Sequence, residues 1–375
     1  MTNGNDVGRA KRAAFAEAAE WDVGNLGQDA PEYLWGAAEG LPVPSIGVTR
    51  IPRCSRVEYA TPGCPLVPCD EQAEIRWTRG TDLATGADIW VPAVMAMPEL
   101  ADRVPAEGFW HRVPAGYAVH ADPDVALSAA LRRAAEHDAI EVMWSQRLPL
   151  PLVGRDRYSE QCIAVLASCQ AQDVKALTFD ATTDIGVPTA FTLFIAGDNP
   201  WMMHRIVSAT GVTLDLAAEK SLVDGFSRLS CARPARAVKM RFRDFTDPED
   251  GMAFMGVRDR APAFDFLVNG CEDRTPRSRP GLPEDPTECI RWLTDILAAR
   301  KMQVVAVDRT TPELARAGLT AYSAVVPGLQ PMSGLPLARF RGHPRLYHAP
   351  VAMGYRSLPE EYLNPWPQPC TWEPA

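Results

Sequence analysis

The chain has 375 residues, of which 46% are hydrophobic and 23% charged, a globular composition that is long enough for one large or two ordinary domains. Its formal charge of −9 argues against a surface that binds nucleic acid. No apolar run reaches the roughly 20 residues of a membrane-spanning helix, and the polar start, Met1–Asp6, is unlike a secretory signal. We therefore expect a cytoplasmic protein that has neither nucleic acid nor a membrane as a partner.

The cysteines predict free thiols. The chain has nine of them, an odd number, and no Cys-x-x-Cys pair, which makes a structural zinc site a weak hypothesis. Unpaired cysteines are typical of a reducing compartment.

Apolar periodicity and turn residues predict the elements in the first half of the chain. The predicted elements are a short helix over residues 8–21, two strands over 75–94 around a turn at Thr85-Gly86, a helix from Asp122-Pro123 to about Trp144, a helix over 159–170, and two strands over 175–195 around a turn at 184–188. Asp122 and Pro123 have the form of an N-cap and a first-turn proline.

The second half predicts a similar mixture of helices and strands. The predicted elements are a helix over 215–229 weakened by Gly225, an exposed loop over 270–285, a helix over 286–300, a strand over 303–307, a short helix over 314–317 and a strand over 321–326. A Rossmann glycine fingerprint and a P-loop are both missing from the sequence. We expect a mixed α/β (α+β) fold.

A series of short segments along the chain carries a resemblance to a known family. The segments are, in order, Trp77-Thr-Arg-Gly-Thr-Asp-Leu-Ala-Thr-Gly86, Val91-Pro-Ala, Glu136-His-Asp-Ala139, Thr183-Asp-Ile-Gly-Val-Pro188, Val307-Asp-Arg-Thr-Thr-Pro312, Val326-Pro-Gly-Leu-Gln-Pro331, His343-Pro-Arg-Leu346 and Asn364-Pro-Trp-Pro-Gln-Pro369. This ordered set resembles the YcaO family of ATP-dependent enzymes that modify peptide backbone amides. The resemblance predicts one compact YcaO-like domain over 48–375, an N-terminal extension over 1–47 and a proline-rich tail over 364–375.

The resemblance also implies a reaction and its cofactors. Family members bind ATP without a P-loop and hold Mg2+ with carboxylates. They activate an amide oxygen with ATP to form thiazoline or oxazoline rings, and other relatives form thioamides or amidines. The prolines Pro365, Pro367 and Pro369 match the tail of the azoline-forming members, which reaches toward the active site, and they are therefore the catalytic candidates. Alternating prolines hold such a tail extended.

The first nucleotide-site motif of the family, a Glu-x-x-Glu-Arg-Asp-Ala-like pattern, corresponds to Arg133-Ala-Ala-Glu136-His137-Asp138-Ala139. By resemblance Glu136 is a nucleotide and metal contact, whereas Arg133 replaces the other glutamate. Residues three apart are neighbours on a helix. In one interpretation Arg133 and Glu136 pair with each other; in a second Arg133 contacts phosphate; in a third the face is a solvated salt bridge.

The second motif, a Glu-x-x-Gln-Ser-Arg-Leu-like pattern, corresponds to Val223-Asp224-Gly225-Phe226-Ser227-Arg228-Leu229. Ser227 and Arg228 match and are nucleotide candidates, as is Arg233 shortly after them. Asp224 is the second metal candidate, although it lies about 100° around the helix from the family's glutamate position. Elsewhere, Asp184, which precedes Gly186 and Pro188, is either a polar group of the cleft or a turn residue. Arg345 is either an anion contact or a surface arginine.

Two functional hypotheses follow from the resemblance, beside a third in which the chain is a YcaO protein that forms thioamides or amidines. In the first, the chain is an ATP- and Mg2+-dependent cyclodehydratase of ribosomal peptide natural-product biosynthesis. In the second, it is a catalytically degenerate subunit that binds peptide or serves as a scaffold beside an active homologue. Both imply a precursor peptide substrate, a leader-peptide-binding partner or a second YcaO-like protein, and a homo- or hetero-oligomer.

Overall fold

The computed structural model describes residues 33–357, with gaps at 99, 101–102, 114, 198–202, 231–237, 240, 246–247, 272–273 and 278. The predicted helix over 8–21, Arg233 and the tail over 364–375 lie outside the described residues. The chain divides into two compact units. The first unit takes the described residues up to Ile51, Leu66–Ala134 and Asp285–Leu329, and the second takes Pro52–Pro65, Ala135–Glu284 and the residues from Gln330 onward.

Nine strands and ten α-helices are found among the described residues. The strands are β1 (Leu34–Gly36), β2 (Ile75–Asp82), β3 (Asp88–Pro92), β4 (Tyr117–His120), β5 (Val174–Asp180), β6 (Thr189–Ala196), β7 (His204–Thr210), β8 (Val305–Asp308) and β9 (Thr320–Val325). The helices are α1 (Arg56–Ala60), α2 (Ala93–Ala96), α3 (Pro123–Gln146), α4 (Glu160–Ala171), α5 (Leu214–Ser230), α6 (Pro248–Gly256), α7 (Asp265–Val268), α8 (Pro286–Ala299), α9 (Pro312–Arg316) and α10 (Arg345–Ala352). Short 3-10 turns occur at Ala38–Gly40, Val48–Arg50, Pro105–Glu107, Arg155–Arg157, Phe242–Asp244 and Arg258–Phe264.

The first unit is built on an antiparallel sheet in the order β1-β2-β8-β9-β4, with β3 also paired to β2. Alternate residues of a strand point to opposite faces, and Ile75 and Trp77 of β2 accordingly lie in one buried cluster with Val91, Val305 and Val307. Residues 34–36 pair with β2, and Ser45 bridges to Trp90 of β3. The predicted domain boundary at residue 47 stays a prediction.

The second unit is built on the antiparallel sheet β5-β6-β7, in which the predicted strand–turn–strand over 175–195 is confirmed. One set of side chains, including Phe179 and Phe191, packs into the largest core cluster with Trp144. The alternate set includes Phe194, which packs with Cys162 of α4 and Leu222 of α5. One face of these strands therefore packs against the core cluster, and the opposite face packs against α4 and α5.

The long helix α3 begins where the sequence predicts it. Oδ1 of Asp122 accepts hydrogen bonds from the backbone N–H groups of Asp124 and Val125, at 2.9 and 3.3 Å, which satisfies N–H groups that have no partner inside the helix. Pro123 occupies the first helical position, where its missing N–H costs nothing. In the described part of the chain, no helix is long and apolar enough to cross a bilayer. The helices and antiparallel sheets confirm the mixed α/β fold class.

Candidate functional site

A buried ion-pair cluster joins three of the sequence segments that carry the family resemblance. Nε and Nη2 of Arg345 donate to the two carboxylate oxygens of Asp138, at 2.8 and 2.6 Å. Nη1 of Arg345 lies 2.7 Å from Oδ1 of Asp184. Asp138 is 0% exposed and Arg345 6%. The prediction of a surface arginine at 345 is therefore wrong: the side chain is held inside the second unit by two carboxylates.

A second ion pair lies one helical turn further along α3. Glu141 accepts from Nη2 of Arg339 at 2.7 Å and from the backbone N–H of Ser333 at 3.2 Å. Asp138 likewise accepts a backbone N–H, from Gln330, at 2.8 Å. Two successive carboxylates of α3 thus each bind one arginine and one backbone N–H of the segment 330–345. We call Asp138, Glu141, Asp184, Arg339 and Arg345 the ionic cluster.

Two carboxylates of the ionic cluster stabilise the charge of Arg345. Burial alone lowers the pKa of Arg345, but the carboxylates of Asp138 and Asp184 raise it above its ordinary value. Arg345 therefore stays charged, and the cluster is held by charge-assisted hydrogen bonds. Removing one partner of such a buried pair strands the other charge in a medium of low polarity.

Glu58 links α1 to the same segment through contacts that no local sequence pattern predicts. Its side chain accepts from the backbone N–H of Ser55 at 2.7 Å, while Oγ of Ser55 accepts from the N–H of Glu58 at 3.2 Å, which is a capping box. The same carboxylate accepts the backbone N–H groups of Arg339 and Arg341 at 2.6 and 3.0 Å. The Ser-x-x-Glu spacing was a local signal for the cap, but not for the distant contacts.

The first nucleotide-site candidates lie on α3, and each has a hydrogen-bond partner on another element. Nη1 of Arg133 donates to the backbone carbonyl of Tyr117 on β4 at 2.7 Å. Oε1 of Glu136 accepts from Oγ of Ser208 on β7 at 2.6 Å. Arg133 and Glu136 are three residues apart on a continuous helix. Arg133 is therefore the helical neighbour of Glu136, the predicted metal ligand.

Gly116 occupies a position that only glycine fits. Its φ is +69°, in the left-handed region that favours glycine, and a Cβ there would lie 2.7 Å from the backbone oxygen of Ala324. The same Cβ would lie 3.4 Å from the Cβ of Ala134 on α3. The glycine therefore brings the chain close to both β9 and α3, and any side chain would push them apart.

The candidates on α5 are engaged at the surface. Asp224 pairs with Lys220 one turn earlier at 2.6 Å, with 37% and 60% of their side chains exposed. Ser227 is exposed and Arg228 half-buried. Gly225, predicted only as a weak point of the helix, lies against Phe194: a Cβ at this position would be 2.3 Å from the ring. Close packing on the sheet, rather than a ligand, therefore explains this glycine.

The described candidates do not fit a Mg2+ ion held between carboxylates. Mg2+ prefers carboxylate and phosphate oxygens in octahedral geometry, whereas Glu136 has Arg133 as its helical neighbour and Asp224 is paired with Lys220. Within 33–357, outside the gaps, no group of three or more His, Cys, Asp or Glu side chains is placed to hold a metal. Arg233, Pro365, Pro367 and Pro369 lie outside the described residues, and their roles stay predictions.

The cysteines that the structure describes are free thiols. They are Cys54, Cys64, Cys69, Cys162, Cys169, Cys271 and Cys289. Burial, and then the carboxylate of Glu58, raise the pKa of the Cys54 thiol well above its usual range, and burial, followed by Asp70 and Glu71, raises the pKa of Cys69 to about 11. These thiols are protonated at neutral pH and are weak nucleophiles.

The sequence of residues 1–330 matches the family described as YcaO cyclodehydratase, ATP- and Mg2+-binding. The chain belongs to the YcaO family. This confirms the resemblance carried by the ordered segments. The family description includes binding of ATP and Mg2+.

Solved structures of YcaO proteins share the fold. The heterocyclase TruD superposes with a TM-score of 0.72 at 17% identity, over 96% of this chain and 50% of TruD. YcaO from Methanopyrus kandleri, bound with AMPPCP and Mg2+, gives 0.51 at 16% identity, over 70% and 67% of the two chains. The Escherichia coli microcin synthetase McbBCD complex gives 0.57 at 12% identity, over 84% and 79%. These similarities confirm the YcaO-like fold.

The chain spans about half the length of the heterocyclase chains that it matches, 50% of TruD and 47% of a heterocyclase in complex with substrate and cofactor. No curated protein sequence matches it at a significant level.

Proposed function

We propose that this YcaO protein acts in ribosomal peptide natural-product biosynthesis as a peptide-binding subunit beside a partner that carries the ATP chemistry. The heterocyclase that it resembles binds a substrate and a cofactor, and the McbBCD complex binds pro-MccB17. A precursor peptide is therefore the substrate class that we assign. The observation that carries the non-catalytic role is the position of Arg133, one helical turn from Glu136.

The physical argument concerns local charge. Replacing a carboxylate by a guanidinium changes the local charge by two units, and the resulting cation repels a divalent ion at the neighbouring position. Asp224 adds no compensating charge because Lys220 neutralises it at 2.6 Å. The ionic cluster, by contrast, pairs Arg345 with Asp138 and Asp184, and Arg339 with Glu141. The proposal therefore rests on Arg133, which places a cation beside Glu136 on α3.

The test is calorimetric titration of the full chain with ATP and Mg2+, with a non-hydrolysable analogue as a control. We expect no Mg2+-dependent binding by the wild-type chain. The variant Arg133→Glu restores two carboxylates three apart on α3, and we expect it to bind Mg2+ and ATP better than the matched variant Arg133→Met, which removes the cation without adding a ligand. Mg2+-dependent ATP binding by the wild-type chain that Glu136→Gln abolishes would overturn the proposal.

A second candidate function is ATP-dependent azoline formation by this chain itself. The family description and the proline-rich tail with Pro365, Pro367 and Pro369 favour it. It requires Glu136 to act as a nucleotide and metal ligand. In a system reconstituted with its precursor peptide, Glu136→Ala would then abolish ring formation and deletion of residues 364–375 would reduce it. Under the subunit proposal, Glu136→Ala leaves ring formation by the partner unchanged.

A further inference from the structure

A groove of about 760 Å3 lies between α4 and the outer edge of β5. The residues Ile163, Leu166, Ala167 and Gln170 form the α4 side of the groove. Their spacing of three and four places them on one stripe of the helix. Ile163 is 55% exposed, which is unusual for a large apolar side chain beside a strand of the same unit. The groove therefore has an apolar helical wall along an edge strand.

The other wall offers main-chain hydrogen-bonding groups. At the C-terminal end of β5, the backbone N–H of Val153 donates to the carbonyl of Thr178 at 2.8 Å, and the N–H of Asp180 donates to the carbonyl of Pro151 at 2.9 Å. These groups point away from β6, which pairs with the opposite edge. The segment 151–153 therefore pairs with this edge as a short antiparallel strand.

The N-terminal half of the same edge pairs with no other strand of the described chain. Backbone groups of a strand alternate in direction with a period of two, and those of Val174 and Ala176 therefore point to the same side as those of Thr178. Among the described residues, no backbone group pairs with Val174 or Ala176 on this side. An open edge of this kind is a template for an added strand. A groove between an edge strand and a helix is one of the recurring modes by which proteins bind extended peptides.

The charge of the groove indicates which kind of binding partner it favours. Its charged lining residues are Arg155, Lys175 and Asp173, two cations and one anion. Two copies of this protein paired edge to edge would bring together two grooves of net positive charge, and like net charges oppose such pairing. An acidic extended peptide meets complementary charge instead, and its alternating side chains place apolar groups against Ile163 and Leu166.

We propose that the groove between α4 and β5 binds an extended acidic segment of a peptide, which pairs as an additional strand with residues 174–177 and continues the line of residues 151–153. The proposal rests on the peptide-binding function proposed above and locates it. The N–H and carbonyl of Ala176 make the central main-chain pair, the stripe on α4 contacts the apolar side chains, and Lys175 and Arg155 contact the acidic ones.

The test uses a random peptide library displayed on phage and selected on the immobilised full chain. Enriched peptides are synthesised with a fluorescent label, and their Kd values are measured by anisotropy for the wild type, Ala176→Pro and Ala176→Ser. Proline removes the outward N–H, which is tolerated on an edge strand, whereas serine keeps it. We expect acidic peptides with alternating apolar residues, a Kd raised about tenfold or more by Ala176→Pro and little change with Ala176→Ser.

A second variant covers the case in which Ala176→Pro fails to fold. Lys175 is exposed, and Lys175→Glu is expected to weaken binding of the acidic peptides most strongly at low salt, because the loss is electrostatic. Selection of no peptide, or equal Kd values for the wild type and both groove variants, would overturn the groove proposal. The ATP titration is independent of the measured peptide Kd values. Failure of the groove proposal and failure of the subunit proposal therefore give different results.

Discussion

Arg345 and Asp138 form a buried two-pronged ion pair across 207 positions of sequence, with N–O distances of 2.8 and 2.6 Å. Asp138 lies in the segment Glu136-His-Asp-Ala139 and Arg345 in His343-Pro-Arg-Leu346, both of which carried the family resemblance. Asp184 joins them from a third such segment. The segments that carry the family resemblance therefore contain residues that stabilise the interior of the second unit, in addition to residues predicted to contact a ligand.

Neutralising Asp138 should destabilise the protein strongly. Asp138→Asn leaves the buried guanidinium of Arg345 without its two-pronged partner, and breaking such a pair on one side costs about 3–5 kcal/mol. We expect the free energy of unfolding, measured by urea denaturation, to fall by an amount in this range. The prediction concerns stability alone and holds whether or not the chain binds ATP.

The exposed pair between Arg79 and Asp88 provides a matched control for this measurement, since 69% and 47% of the two side chains are exposed. Asp88→Asn removes the same charge at the surface and should change the free energy of unfolding by no more than about 1 kcal/mol. Equal effects of Asp138→Asn and Asp88→Asn would show that the ionic cluster does not support the second unit.

Replacing Gly225 should destabilise α5 even though alanine is the better helix former. Alanine gains about 1 kcal/mol of helix propensity over glycine, but its Cβ would lie 2.3 Å from Cε2 of Phe194 and 2.7 Å from Cζ. Overpacking a core typically costs about 1–3 kcal/mol. We expect Gly225→Ala to lower the melting temperature and the double variant with Phe194→Leu to recover part of the loss. A Gly225→Ala variant more stable than the wild type would contradict this packing.

The sequence was sufficient for features that depend on neighbouring residues. Asp122 and Pro123 predicted the start of α3, and the apolar runs on either side of the turn over 184–188 predicted β5 and β6, because caps and strand periodicity are local signals. The pairing of Asp138 with Arg345 was out of reach because side chains 207 positions apart leave no spacing signal. For the same reason, Gly225 was interpreted by helix propensity, whereas Phe194 determines its role.

The candidate site could be predicted in part. The resemblance located Glu136 and Arg133 on one helix, and helical geometry made them neighbours. It could not predict that Ser208 and Tyr117 contact them, since these partners come from strands distant in sequence. It also missed Glu58, whose capping box was visible in the sequence but whose contacts with the segment 339–341 were not.

In the first unit, removing the carboxylate of Glu107 should be costly. Glu107 is 2% exposed and accepts from Nε of Arg76 at 2.9 Å, from Nη2 at 2.5 Å and from the backbone N–H at 2.9 Å. Glu107→Ala leaves these donors unpaired and should lower the free energy of unfolding by about 3–5 kcal/mol. The rings of Tyr33 and Trp35, which lie 5.9 and 5.7 Å from the guanidinium carbon, offset only a small part of this loss.

Replacing both charged partners should cost less than replacing one. The double variant Arg76→Met, Glu107→Leu removes both buried charges and fills the space with apolar groups, an exchange that is often nearly neutral. Urea denaturation of the single and double variants measures the difference. A double variant that is as unstable as the sum of the two single variants would contradict the direct coupling of Arg76 and Glu107.

His204 should make stability depend on pH. Its ring is 5% exposed and stacks on Phe264 with a centroid distance of 4.7 Å, and burial lowers its pKa below the ordinary value. At about pH 8, well above the ordinary histidine pKa of about 6.5, the histidine is neutral in both the folded and the unfolded chain and does not contribute to the pH dependence. Below that pKa the unfolded chain takes up a proton that the folded chain binds more weakly, so stability falls as the pH decreases toward the folded-state pKa.

The variant His204→Phe isolates this contribution, because phenylalanine keeps the apolar ring and the stacking on Phe264 but has no proton to bind. The free energy of unfolding is measured by urea denaturation for both proteins at about pH 8 and about pH 5, on either side of the ordinary histidine pKa. We expect the wild type to lose more stability than His204→Phe on acidification. Because both proteins contain the same carboxylates, the effect of carboxylate titration cancels when their stability losses are compared. Equal losses in the two proteins would mean that His204 takes up a proton as readily in the folded chain as in the unfolded one.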